Sequence, residues 1–210
     1  MNYFSPNSFA GSDTTATSIR AILLHVISNP LIYARLRQEV DTGIANGSIS
    51  DPAKEEEIRK LPYLQACIRE GLRIFPPITY LRERVTPPQG DTLSGFFVPG
   101  GVNIGFNLPG LLLDPVFDPD ARTFRPERWI NTEPGKLSQM ERVMDLVFGW
   151  GSTRCLGIRM ANANQSKFFV EVLRRWDIVI TRPIKPWSSR CHGIFYQKDF
   201  FVCITPRECK

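Results

Sequence analysis

The chain has 210 residues, enough for one domain with a sizeable core or for part of a larger one. Hydrophobic residues make up 42% and charged residues 22%, an ordinary globular balance that excludes a disordered chain. The formal charge of +5 is spread along the sequence with no Lys/Arg run interleaved with aromatics, which argues against nucleic acid as a partner and leaves a solvated basic face or one suited to an acidic protein.

The opening residues, Met1 to Ala10, lack a basic segment followed by an apolar run, so no signal peptide is expected. The first predicted helix runs from about Asp13 to Ser28, with Ile19, Ile22, Leu23, Val26 and Ile27 on one face. Asn29-Pro30 ends it and starts a second helix, Asn29 as N-cap and Pro30 at the first helical position, continuing through Tyr33, Leu36 and Val40 to a stop near Gly43. A polar loop follows, then a helical stretch from about Asp51, and Pro62 opens a further helix that stops before Phe75-Pro76-Pro77.

From Ile78 to Pro119 Pro and Gly recur every few residues, and Gly95-Phe96-Phe97-Val98 and Val102-Asn103-Ile104 read as small strands. A Pro-rich, largely irregular segment continues through Trp129 to Phe148. A last long helix spans about Leu156 to Trp176, and Ile178 to Thr205 reads as strands and turns. The fold class is mainly α with small β elements, in one domain over residues 1–210. No stretch approaches the roughly 18 to 20 apolar residues of a spanning helix, so the expectation is a soluble or at most peripheral chain.

The five cysteines, Cys67, Cys155, Cys191, Cys203 and Cys209, are odd in number and irregular in spacing, which points away from a disulfide framework and toward a reducing compartment. Cys191-His192 with Cys203 and Cys209 fits no known zinc spacing. His25 lies among apolar residues and reads as packed or half-exposed, and His192 has no partner at a recognisable spacing.

The segment Phe148-Gly149-Trp150-Gly151-Ser152-Thr153-Arg154-Cys155-Leu156-Gly157 carries the most chemistry. Its glycines permit a tight turn and close approach of a flat ligand. Cys155 lies just ahead of a helix whose free N–H groups and positive dipole end favour thiolate over thiol, and Arg154 adds a neighbouring positive charge. The competing reading is a buried structural cysteine after a glycine turn.

The pattern F-x-x-G-x-x-x-C-x-G, with Arg one residue before the cysteine, resembles the heme-ligand signature of the cytochrome P450 family and is matched at Phe148, Gly151, Arg154, Cys155 and Gly157. Three companions stand in the family's order. Glu70-Gly71-Leu72-Arg73 places Glu70 and Arg73 on one helix face, and Phe124-Arg125-Pro126-Glu127-Arg128-Trp129 resembles the motif whose arginine joins them. By that resemblance Glu70, Arg73 and Arg128 form a buried structural charge cluster behind the cysteine loop, without chemistry of its own. Ala10-Gly11-Ser12-Asp13-Thr14-Thr15 is similar to the oxygen-activation motif, in which Asp13 and Thr14 relay protons; the alternative is that Ser12 or Asp13 caps the following helix. Arg84, in Leu81-Arg82-Glu83-Arg84-Val85, stands where the family sets an arginine on a heme propionate, with Arg154 in a similar role, Arg82 as a substitute, and an exposed strand arginine as the alternative.

The resemblance spans Ala10 to about Thr205 and matches only the C-terminal half of the family domain. It implies that half of the cytochrome P450 fold, heme b (iron protoporphyrin IX) on Cys155, and a heme-thiolate monooxygenase. Such an enzyme inserts one atom of dioxygen into a small organic substrate, with electrons from an NADPH-dependent flavoprotein reductase. The family usually sits on the endoplasmic reticulum membrane facing the cytosol; without the anchor this chain is expected to be cytoplasmic or peripheral. Lys185-Pro186-Trp187 and Gln197-Lys198-Asp199-Phe200 resemble fungal members. Two departures stand out. Met1 to Ser8, ahead of the oxygen motif, does not read as helix, and Leu111-Leu112-Leu113-Asp114-Pro115 replaces the family's L-H-R-D-P. The first expectation extends to a shortened gene product or an incomplete gene model. The competing functions are a truncated non-catalytic remnant that binds heme weakly or not at all, and a heme-dependent isomerase or dehydratase, against which the intact Asp13-Thr14 pair argues.

Overall fold

A computed structural model of the chain describes residues 6–117 and 119–207. The first helix, α1, runs Pro6–Ile27, which corrects the expectation that the residues before Ala10 are not helical; Met1 to Ser5 of that expectation lie outside the described residues. Pro6 stands at the start of the helix, where its missing N–H would be unpaired in any case, and not in the interior where proline is costly. Asn29 separates α1 from α2 (Pro30–Ala45) as expected, its side-chain oxygen accepting from the N–H groups of Leu31 and Ile32 at 3.2 and 3.3 Å.

Four helices make the core. In α2 the buried residues Ile32, Leu36, Val40 and Gly43 fall at steps of four, four and three. Helix α3 is a single turn, Glu55–Ile58, shorter than the stretch expected from Asp51. Helix α4, Pro62–Ile74, is buried along most of its length and packs on α1. Gly71 permits that approach: a Cβ there would lie 2.3 Å from the Ile22 Cγ1 atom of α1. The long helix α7, Ile158–Arg175, packs against α1, α2 and α4 through Phe169, Val170 and Leu173.

Between α4 and α7 the chain is short strands and single turns. Strand β1 (Arg84–Val85) pairs antiparallel with β4 (Asn103–Ile104), and β2 (Asp91–Leu93) with β3 (Phe96–Val98), close to the two strand expectations. Helix α5 is the turn Leu108–Leu111. The variant Leu111–Pro115 stretch sends Leu112 into the core with 1% exposure and offers its carbonyl to Arg73 Nη1 at 2.9 Å. Helix α6, Pro134–Asp145, corrects the irregular reading of Trp129 to Phe148. Its signal is faint because only Met140 and Met144 are buried and its N-cap is Glu133, whose carboxylate accepts from the N–H groups of Gly135 and Lys136.

After α7 the tail forms β5 (Trp176–Ile180) paired with β8 (Val202–Pro206), and β6 (Ser188–Cys191) paired with β7 (Phe195–Lys198), all antiparallel. Two-stranded sheets are marginal alone. These lean on the helices and the central wall: Ile178 N donates to the Tyr33 hydroxyl at 3.0 Å, and Thr79 N to the Gly193 carbonyl at 2.8 Å. The fold is mainly helical with small sheets, as the sequence implied. Among the described residues no single helix is long and apolar enough to cross a membrane, although α1 from Ala10 and α2, bent by 109°, pass that test together by length and composition.

Candidate functional site around Cys155

The site is built on the buried carboxylate of Glu70, on the inner face of α4. Arg73, one helical turn on, brings Nε to Oε2 at 2.9 Å and Nη2 to Oε1 at 2.8 Å. Arg128, from the 3-10 turn Pro126–Trp129, adds Nε to Oε1 at 3.0 Å. Glu70, Arg73 and Arg128 are 0, 1 and 3% exposed, so the cluster needs full pairing to be tolerated. It has that pairing. Trp129 Nε1 and the Arg125 N–H also donate to Glu70, both at 2.9 Å. The remaining guanidinium donors reach backbone carbonyls, Arg73 those of Leu112, Ala121 and Thr123 and Arg128 those of Phe117, Asp120 and Thr123, and Arg128 Nη2 also meets the Asp120 carboxylate at 3.1 Å. These two side chains therefore tie the irregular segment of residues 112–128 to α4. Trp129 closed its sequence motif without a role assigned to it; its bond to Glu70 supplies one.

Residues 146–157 follow as two 3-10 turns, Leu146–Phe148 and Gly151–Thr153, joined through glycines. Gly149 at φ +80° and Gly151 at φ +66° occupy the left-handed region that side chains disfavour, which is why this loop needs glycine at both. Gly157 differs: it is the N-cap of α7 at φ −85°, and a Cβ there would meet the Cys155 Sγ at 3.8 Å, an ordinary contact. The loop closes on itself where Cys155 N donates to the Phe148 carbonyl at 2.7 Å. Phe148 packs half-buried against the core, whereas Cys155 is exposed, ahead of the α7 N-terminus. That exposure corrects the competing reading of Cys155 as a buried structural cysteine. The description of a buried inert thiol suits Cys67, which is 0% exposed and whose thiol burial pushes well up.

Cys155 opens on a cleft of about 450 Å³, within the roughly 300–1,000 Å³ range of small-molecule sites. Leu72, Pro77, Ile78, Val147 and Phe148 supply its apolar wall. Thr14, Thr15 and Ser18 of α1 also line it. The Thr14 hydroxyl donates to the Ala10 carbonyl at 2.9 Å, and Ser18 to the Thr14 carbonyl at 3.0 Å. Asp13 is exposed on α1 and is not among the lining residues, so the fold brings only Thr14 of that pair to the cleft.

The arginines separate in the same way. Arg84 lines the cleft, with Nη1 on the carbonyls of Arg82 and Glu83 and Nη2 on the Trp150 carbonyl and the Thr153 hydroxyl. Arg154 is half-exposed, sits 3.6 Å from Asp145 and is not a lining residue. Arg82 does line the cleft, its Nη2 donating to the Val147 carbonyl at 2.7 Å. Burial, helped by the neighbouring Arg84 charge, pulls the Arg82 guanidinium below its ordinary pKa. Gln165, which sequence reasoning missed, is 1% exposed on α7, lines the cleft and has an unpaired Oε1. Its signal was a polar residue four positions before Phe169 on the core face of a helix. His25 is stacked on Phe124 at 5.0 Å and 9°, away from the cleft lining. The Cys191 thiol lies 3.1 Å from the Thr79 hydroxyl, and Cys209 is outside the described residues.

Comparison with known proteins places this geometry in a family. The profile of the family described as Cytochrome P450 matches residues 5–201. Cytochrome P450 monooxygenase ABA1 of Pyricularia oryzae is 38% identical over 200 residues, covering 94% of this chain and 39% of that protein. The monooxygenase aba1 of Botryotinia fuckeliana is 37% identical, over 95% of this chain and 39% of its own length. The monooxygenase ACRTS1 of Alternaria alternata is 36% identical, over 92% of this chain and 51% of its own. The chain thus spans between about two fifths and one half of these fungal relatives. With the profile matched along almost all of its length, the chain belongs to the cytochrome P450 family.

Proposed function

We propose that this chain carries the heme-thiolate half of a monooxygenase, with Cys155 as the iron ligand and heme b as the group held. The observation that carries the reading is an accessible cysteine, on a glycine-turned loop ahead of a helix, opening into an apolar cleft with cations at its wall. The residues fit a heme: an apolar wall suits the porphyrin, Arg84 and Arg82 suit its carboxylates, and the unpaired Gln165 Oε1 marks a cleft built for contents. When bound, the heme supplies the iron at which dioxygen is reduced, with an electron-rich thiolate favouring O–O cleavage.

The protein's own residues have separate tasks in this reading. Cys155 holds the metal, and the loop hydrogen bond from its N–H to Phe148 keeps it aimed at the cleft. Arg84 pairs with a propionate; for Arg154 that role requires leaving Asp145. Thr14 moves protons at its hydroxyl once it releases the Ala10 carbonyl, and Asp13 feeds it from the exposed side of α1. Glu70, Arg73 and Arg128 hold the wall in place. The substrate is a small organic molecule, and the two electrons come from an NADPH-dependent flavoprotein reductase.

A second reading, heme held weakly and without turnover, is favoured by one observation. Trp150, Leu156 and Met160, around the ligand loop, are 61, 99 and 71% exposed. One spectrum separates the two. The purified chain, reconstituted with heme, reduced and exposed to carbon monoxide, should give the red-shifted Soret band of thiolate ligation, and Cys155→Ala should lose it. No band in the parent chain sinks the first reading.

A further inference from the structure

Arg82 is set against the ligand loop more closely than any role as a substitute for Arg84 would need. It is a non-glycine residue at φ +53°, the left-handed region, so the backbone is held in a disfavoured conformation to aim this side chain. Its Nη2 donates to the Val147 carbonyl at 2.7 Å. The next carbonyl, that of Phe148, accepts the Cys155 N–H at the same 2.7 Å. Beyond it Gly149 lies so near the guanidinium that a Cβ would fall 2.7 Å from Arg82 Nη1. Arg82 and Cys155 line one cleft, whereas Arg154, adjacent to Cys155 in sequence, is turned to Asp145. The Arg84 guanidinium bonds the carbonyls of residues 82, 83 and 150 and the Thr153 hydroxyl.

We infer that Arg82 is a positioning residue for the ligand: its guanidinium braces the Val147–Gly149 turn from which Cys155 hangs, and fixes a positive charge beside the thiolate. The inference rests on the heme-thiolate reading for its second half only. A positive charge near the iron favours the electron-rich ferrous state, so its removal makes the iron harder to reduce. The brace acts whether or not heme is present, because it consists of contacts within the chain. Tyr80, Glu83, Arg84 and Cys155 are the other titratable groups that line the cleft with Arg82.

The test uses Arg82→Met, Arg82→Gln and Arg82→Lys in the full chain, with two readouts. In the empty chain, hydrogen exchange at the Cys155 amide should speed up at least about tenfold in Arg82→Met. Unchanged exchange there overturns the brace. In the heme-loaded chain at a fixed redox poise, the ferrous-to-ferric ratio should fall about tenfold in Arg82→Met and Arg82→Gln, and Arg82→Lys should restore most of it. A ratio within about twofold of the parent in both neutral variants overturns the charge role. Should Arg82→Met fail to fold, Arg82→Leu, which likewise has no donor for Val147, carries the exchange readout, and Arg82→Gln carries the redox readout. Absence of the thiolate band in the parent chain defeats the heme reading instead, and the exchange measurement still decides the brace.

Discussion

Glu70 accepts five hydrogen bonds from Arg73, Arg128, Trp129 and the Arg125 N–H while no solvent reaches it. Glu70→Gln would keep the shape, remove the charge and leave the Arg73 guanidinium without its anion, while Arg128 keeps only the Asp120 carboxylate at 3.1 Å. Breaking such a pair costs about 3–5 kcal/mol, and denaturant unfolding should show a loss of that order. A loss under about 1 kcal/mol would mean that the backbone carbonyls alone satisfy the arginines. His25 offers a test with a sign. Burial against Phe124 pulls its imidazole below the ordinary 6.5, while the Glu70 charge works the other way. The unfolded chain therefore takes up the proton first as pH falls through about 6.5, and stability present above that pH is lost on acidification. His25→Phe should flatten the change in unfolding midpoint between about pH 7.5 and about pH 5.5; an equally steep change in the variant would place its origin elsewhere. The E-x-x-R spacing and the P-E-R motif were readable at this scale because each is local. The fourth donor, Trp129, was not, because its reach to Glu70 spans residues 70 to 129 and depends on how the segment between them folds back.

Between elements, the contact of α1 with α4 turns on a single missing methyl group. Gly71→Ala puts a Cβ against Ile22 Cγ1 and, at 3.3 Å, against the Ile22 Cα. The side chain can rotate but the backbone cannot, so overpacking of about 1–3 kcal/mol is expected, read as a lower thermal midpoint. Pairing Gly71→Ala with Ile22→Ala should recover part of it, and no recovery would show that the strain lies in the backbone. Helices α2, α4 and α7, and α1 from Asp13 onward, were legible because apolar residues recur at helical spacing and Asn-Pro, Pro or glycine signals mark their ends, while the start of α1 at Pro6 was not. Helix α6 was not. It fully buries only two methionines, with Leu137 and Val143 partly buried beside them, and its glutamate cap is an uncommon one. Tertiary contact with the 3-10 turn Pro115–Phe117 supports it, which no window of local sequence can report.

For the whole molecule, the cleft joins α1, the wall after α4, the cysteine loop and α7, so a ligand there touches every core layer but α2. A heme that binds only the folded chain must raise its stability by mass action. At a free concentration about a hundredfold above its dissociation constant the gain is about 2.7 kcal/mol. The thermal midpoint should therefore climb with heme and stay flat in Cys155→Ala if the thiolate supplies most of the affinity. An equal climb in both chains would assign the affinity to the apolar wall.

The sequence by itself determined the helical class and the family, and it singled out Cys155 as the candidate ligand. Those rest on short-range patterns: apolar periodicity, turn glycines, and one cysteine in a ten-residue signature. Tertiary structure alone decided which polar residues share the cleft with that cysteine. Thr14, Arg84 and Arg82 line it, while Asp13 and Arg154 do not, although each of these two is next to a residue that does. The physical reason is directional. Adjacent residues on a helix point about 100° apart and those in a turn diverge further, so nearness in sequence sets composition around Cys155 while backbone direction sets the contacts.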